Sequence, residues 1–128
     1  MTTWTSDELD KIGAAEELKL ASVRPDGTLR DPVTMWVVRD ADDLYVRSVK
    51  GRASSWFRGA QTRHEAHIRS GGVERHIDLV ETDDVNDEVD AAYRAKYGHR
   101  YPSIVPSIVA SEAREATLKL VPRREEKQ

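Results

Sequence analysis

The chain is 128 residues long, has no cysteine, and sets 20 basic against 23 acidic side chains for a net charge of -3. This length predicts one domain over residues 1–128 with a real core, and the missing cysteines exclude disulfides, thiolate metal sites, iron–sulfur clusters and cysteine nucleophiles. The mixed, nearly balanced charge speaks against nucleic acid or an anionic membrane as partner, and with no signal-like or span-length apolar run a cytoplasmic protein is expected.

The first element is announced by Thr5, Ser6, Asp7 and Glu8, where Thr5 and Glu8 have the spacing of a capping box and Trp4 stands ready to staple onto the helix. That helix carries Leu9, Ile12 and Gly13 on one side and ends near Ala15. Residues 18–24 alternate as a strand, and Pro25, Asp26, Gly27 and Thr28 form a turn in which Pro pre-sets one dihedral and Gly accepts positive φ. Residues 32–39 are β-branched and aromatic and apolar on both faces, the pattern of one central strand beginning at Pro32. An acidic turn over 40–43 leads into a strand over 44–48. Three strands in a meander thus deliver the chain to residues 47–56.

Residues 47–56 gather three cations, three hydroxyls and a glycine: Arg47, Ser48, Lys50, Gly51, Arg52, Ser54 and Ser55, followed by Trp56. Cations neutralise an oxyanion, Arg adds a two-pronged donor, and hydroxyls and backbone N–H groups add more. This is the chemistry of a phosphate pocket and points to a phosphorylated cofactor or small molecule. Arg47 and Arg52 are the charged donors of choice, Lys50 a point charge, Ser48 and Ser54 neutral donors. Strand alternation puts Arg47 and Ser48 on opposite faces. Ser48 shares parity with Leu44 and Val46 and is expected inward, with Arg47 outward. The competing reading is a solvated basic loop, with Ser54 or Ser55 capping a short helix over 56–60. No P-loop or Rossmann glycine pattern is present.

Further on, residues 64–69 and 73–80 flank Ser70, Gly71 and Gly72 as a hairpin. On a strand, His64 and His67 fall on opposite faces, so no metal site is expected; cross-strand polar pairs among Glu65, His67, His76 and Asp78 are the alternative. Asn86 reads as the cap of the clearest helix, with Asp87 and Glu88 in its first turn, Val89, Ala92, Tyr93 and Lys96 as its stripe, and Gly98 past its end. Residues 101–109 are an irregular or short helical link. A closing strand over 116–121 precedes a polar, frayed tail. The total is about six antiparallel strands with two or three helices, a mainly β (α+β) small barrel, since closure removes exposed edges.

With the basic loop placed behind a three-strand meander, the chain resembles a bacterial domain-of-unknown-function family of the FMN-binding split-barrel superfamily, related to deazaflavin-dependent nitroreductases. The residues that carry the resemblance include Trp4, Thr5, Glu8 and Leu9, the run from Arg24 to Arg30 with Pro32, Trp36 to Arg39, Leu44 to Ser48, Gly51, Trp56 to Ala60, Gly71 to Val73, Tyr93 with Tyr97 and Gly98, and Thr117 with Leu118. The resemblance implies a six-stranded antiparallel split β-barrel and FMN or a deazaflavin as cofactor. Its phosphate would lie on Arg47, Ser48, Lys50, Arg52, Ser54 and Ser55, and its ring against residues 32–36, which include Thr34 and Trp36. Gly51 and Trp56 resemble a Gly…Trp pair of the deazaflavin reductases, although the connection between them is shorter here. Trp36 is read either as a ring contact or as a core tryptophan. The activity implied is that of an oxidoreductase acting on a small organic acceptor; the alternative is a binding or interaction module that keeps the barrel and has lost the cofactor. The resemblance also leaves room for a homodimer with its contact on Trp36, Val38 and residues 104–109.

Overall fold

In the computed structural model, which describes residues 3–123, the capping box forms as its spacing requires. The Thr5 hydroxyl accepts from Glu8 N–H at 3.1 Å, and the Glu8 carboxylate takes Thr5 N–H at 2.9 Å. Helix α1 (Ser6–Ala14) follows and buries Leu9 and Ile12. Trp4 is buried as well, and its indole N–H donates to Leu120 O at 3.0 Å, so the chain start is tied to the closing strand.

Among the described residues seven strands form one antiparallel sheet: β1 (Leu18–Ser22), β2 (Val33–Met35), β3 (Val38–Asp40), β4 (Asp43–Arg47), β5 (Glu65–Ser70), β6 (Val73–Glu81) and β7 (Thr117–Pro122). Their order is β2-β1-β5-β6-β7-β4-β3. The β5–β6 hairpin turns on Gly71 and Gly72, at φ +59° and +85°, the positive pair that a two-residue hairpin turn demands. Within that hairpin Glu65 faces Asp78 and His67 faces His76.

The single central strand expected over 32–39 is instead two. Val33–Met35 pairs with β1, and Val38–Asp40 pairs with β4, at opposite ends of the strand order. Hence seven strands rather than six. Only Trp36 and Val37 separate β2 from β3, a link that reaches about 11 Å at most, whereas seven flat strands would set their outer members roughly 29 Å apart. The sheet must therefore roll until its ends nearly meet, which makes it an antiparallel half-barrel. Residues 32–39 are apolar on both faces because the run passes between two cores, not because it lies mid-sheet.

The inner core holds Leu18, Leu20, Leu44, Val46, Ile68, Ile77, Leu118 and Leu120 with Ile12 of α1 and Phe57 of α2 (Ser55–Gln61). The outer core lies between the opposite face of β3 and β4 and three further helices, α3 (Asn86–Tyr97), α4 (Val105–Ile108) and α5 (Ser111–Arg114). The described residues thus hold five α-helices rather than two or three, the last two being single turns in the 101–116 link. Asn86 is the first residue of α3 rather than its cap. No helix among the described residues is long and apolar enough to cross a membrane, and residues 124–128 of the tail lie outside the described residues.

Candidate functional site

The register of β3 on β4 places Val38 opposite Tyr45. Continued one residue at a time, it would set Trp36 opposite Arg47, Met35 opposite Ser48, Thr34 opposite Val49 and Val33 opposite Lys50. Those pairs never form, because β2 turns away to join β1. In their place is a cavity of about 540 Å³, lined on one side by Val33, Thr34, Met35 and Trp36 and on the other by Arg47, Ser48, Val49 and Lys50. Ser54, Ser55 and Trp56 extend the second side, and Ile104 and Ile108 form a third wall. The volume falls within the range of about 300–1,000 Å³ typical of small-molecule sites.

Backbone groups released by the split find side-chain partners, as buried N–H and C=O groups must. The Tyr97 hydroxyl accepts from Val37 N–H at 3.3 Å and donates to Glu16 O at 2.7 Å. Lys96 Nζ donates to Val37 O at 2.6 Å. Burial holds the Lys96 ammonium down at a pKa of about 8, although Glu16 pulls the other way. Burial also pushes the Tyr97 hydroxyl well above its ordinary range. Tyr97 stacks parallel on Trp36, with ring centroids 4.0 Å apart, so one face of that indole is already covered.

Arg47 does not face solvent. Alternation does put it on the sheet face opposite Leu44 and Val46, but the outer core covers that face, and Arg47 is 2% exposed. Its five N–H groups all have partners within the chain. Nε donates to Thr117 Oγ1 at 2.9 Å, Nη1 to Asp90 and to Ile108 O at 3.1 Å, and Nη2 to Asn86 O at 3.1 Å and Asn86 Oδ1 at 3.0 Å. The guanidinium also lies over Tyr93, 5.6 Å from the ring centroid. Arg47 therefore contributes to the cavity wall but has no donor left for a ligand. Arg52 points away: it bonds Glu81 at 2.7 Å and Glu115 O at 3.1 Å. Burial raises the Glu81 pKa, but bonds from Arg52, Gln61 and His64 outweigh it and hold the carboxyl below its ordinary range.

The remaining polar groups do converge on the cavity. Ser48 and Ser54 share a 2.7 Å hydrogen bond, and Ser54 caps α2 by accepting from Phe57 N–H at 3.4 Å. Two hydroxyls joined by one bond leave one O–H proton uncommitted, whichever of them donates. Lys50 and Ser55 are exposed at the rim. Gly51 is buried at φ +74°, and a Cβ there would run into Glu112. Its place is thus to let the loop pass under α5, not to touch a ligand. Of the ten residues singled out from the sequence, eight line the cavity, while Gly51 and Arg52 do not.

Sequence reasoning missed the groups that hold the split open: Asp90, Asn86 and Thr117 around Arg47, and the Tyr97 hydroxyl under Val37. One signal was present. Asp90, Tyr93 and Tyr97 lie at i, i+3 and i+7 on α3, which places a carboxylate in its apolar stripe and calls for a buried cation nearby. The face of Trp36, Val38 and residues 104–109 offered for dimer contact is covered in part within the chain: Val38, Val105 and Ile108 belong to the outer core, while Ile104, Pro106 and Ser107 are exposed. Val49 and Ile104 remain exposed at the cavity mouth, at 46% and 47%.

The fold of this chain is found in several solved structures. A conserved hypothetical protein from Mycobacterium tuberculosis superposes with a TM-score of 0.66 at 15% identity, covering 96% of this chain and 83% of that one. An F420 reductase does so at 0.52 and 18%, covering 90% of each chain. A FAD and heme binding protein from Mycobacterium smegmatis gives 0.52 and 19%, over 91% of this chain and 65% of that one. At these identities the likeness is one of fold. No curated protein matches. Residues 8–120 match the family described as "Uncharacterized protein conserved in bacteria (DUF2255)", and the chain belongs to it.

Proposed function

We propose that this protein binds a flavin or deazaflavin in the cavity at the split and serves as an oxidoreductase-like protein, related to the nitroreductases, for a small organic acceptor. The observation that carries this reading is the composition of the cavity walls. Trp36, Met35, Ile104, Ile108 and Trp56 offer apolar and aromatic surface for a planar ring. Lys50, Ser55 and the uncommitted proton of the Ser48–Ser54 pair, all from one chain segment, offer donors for one anionic head group. The donor set fits a single phosphate held by one ammonium and hydroxyls rather than by a guanidinium fork. Such a cofactor supplies its own redox chemistry, so the chain has to bind it, orient it and exclude water. Solved structures of the same fold that are named for F420, FAD and heme support the reading.

The engagement of Arg47 and Arg52 inside the chain favours a second reading, a barrel that binds no cofactor. One experiment separates them. Purified protein is incubated with FMN or with a deazaflavin, desalted, and examined by absorbance and by mass analysis of what leaves on denaturation. The first reading expects a coloured protein whose ligand is weakened by Lys50→Ala and Ser54→Ala. A colourless protein with no released flavin or deazaflavin sinks it. The homodimer belongs to the same proposal, with Val49 and Ile104 as the apolar side chains left for a partner, and light scattering reads its mass.

A further inference from the structure

Trp36 belongs both to the cavity wall and to an aromatic ladder leading away from it. Its indole lies at 4.0 Å and 3° from the Tyr97 ring and at 5.2 Å from the Tyr101 ring. The two tyrosines end differently. Tyr97 donates to a backbone carbonyl, Glu16 O, which cannot keep a proton. The Tyr101 hydroxyl donates to the Glu16 carboxylate at 2.9 Å, which can. Arg100 holds the same carboxylate oxygen at 2.6 Å and fixes its position. At rest the proton stays on the phenol, because the bond to Glu16 raises the Tyr101 pKa.

A tyrosine gives up an electron readily only when its phenolic proton leaves with it, so a base within hydrogen-bond reach selects which tyrosine is oxidised. We propose that Trp36, Tyr97 and Tyr101 form a one-electron path from the cavity to the protein surface, ending in a tyrosine that passes its proton to Glu16. A one-electron oxidant in the cavity takes an electron from the Trp36 indole. The oxidised indole is refilled through the stacked rings by Tyr101, whose proton moves to the Glu16 carboxylate. The sum is a singly reduced oxidant, a neutral Tyr101 phenoxyl radical and a protonated Glu16. A photoexcited flavin-type ring is the class of oxidant that a cofactor in the cavity would supply, and the inference rests on the proposed function for the identity of the oxidant alone.

The test uses the whole protein without ligand and the azide radical, made by pulse radiolysis, as the oxidant of tryptophan. In the native protein the indolyl absorption is expected to decay into the phenoxyl absorption. Tyr101→Phe keeps the ring and removes the proton, and Glu16→Gln keeps the shape and removes the base. Each is expected to slow the conversion by at least about tenfold. Trp36→Phe removes the entry point and most of the conversion with it. Conversion at the native rate in any of the three variants, or native protein that never yields phenoxyl, overturns the path. Because no flavin is present, that failure leaves the cavity reading standing. Failure to bind a flavin, in turn, leaves a positive result here intact.

Discussion

Across β5, β6 and β7 the ladder is continuous: all six residues of β5 face partners on β6, and residues 77–81 of β6 face partners on β7. Between β2 and β4 it is interrupted, and side chains from α3 and from β4 itself stand in for the missing strand. The continuous region is held by backbone bonds that any sequence can supply. The interrupted region depends on particular side chains: Arg47 with its five bonds, the Tyr97 hydroxyl, and Lys96 on Val37 O. A gap in a sheet is thus maintained by buried polar groups, and its energetics should be fragile where the closed side is robust.

The largest effect that would test this contrast is at Arg47. Arg47→Leu strands Asp90 beside Arg114, whose Nε lies 3.3 Å away, and leaves Ile108 O, Thr117 and Asn86 without their donor. A loss of about 3–5 kcal/mol is expected in urea unfolding, with part recovered on adding Asp90→Leu. A loss under about 1 kcal/mol, the usual range of an exposed pair, would erase the distinction between the two regions. Next comes Tyr97→Phe, which orphans Val37 N–H and Glu16 O and should cost about 1–3 kcal/mol. Amide exchange should quicken at Val37 and not at Ile77.

A smaller effect sharpens the contrast through pH. Lys96 titrates near 8 when folded against an ordinary value of 10.5. Between those values the unfolded chain binds more protons than the folded one, so stability rises with pH from about 8 upward. Above about 10 the sign reverses. Burial pushes the Tyr45 hydroxyl up to about 12 and raises Tyr93 and Tyr97 further, so the folded state then holds protons that the unfolded state has lost. Melting temperatures across this range should peak near pH 10, and Lys96→Met should flatten the rising limb. The smallest effect is expected on the rim. Arg52→Ala, which breaks an exposed pair with Glu81, should cost less than about 1 kcal/mol and leave affinity for FMN unchanged.

The elements whose signals are local were legible in the sequence. The capping box at Thr5 and Glu8, the Gly71–Gly72 hairpin and the α3 stripe each depend on residues a few positions apart. The break at Trp36 and Val37 was not, because its cause is distant: β1 and β4 compete for one apolar run, and Tyr97, some sixty positions on, satisfies the backbone between them. The site shows the same division. Ser48, Lys50 and Ser54 could be placed by their closeness in sequence, whereas the fate of Arg47 was set by Asp90 and Asn86 on a helix that periodicity alone could not dock. Alternation predicted correctly which face Arg47 takes, but nothing local said that helices would cover that face.

The two-residue hop from β2 to β3 has one more consequence. A single short stretch shields both ends of the sheet, so a fluctuation that lifts it off would bare the hydrogen-bonding rows of β1 and β4 together, and such rows recruit neighbouring molecules. Solubility during partial opening is therefore governed by how firmly residues 33–40 are fastened down, and at the hop itself that fastening is one phenol and one amine on α3.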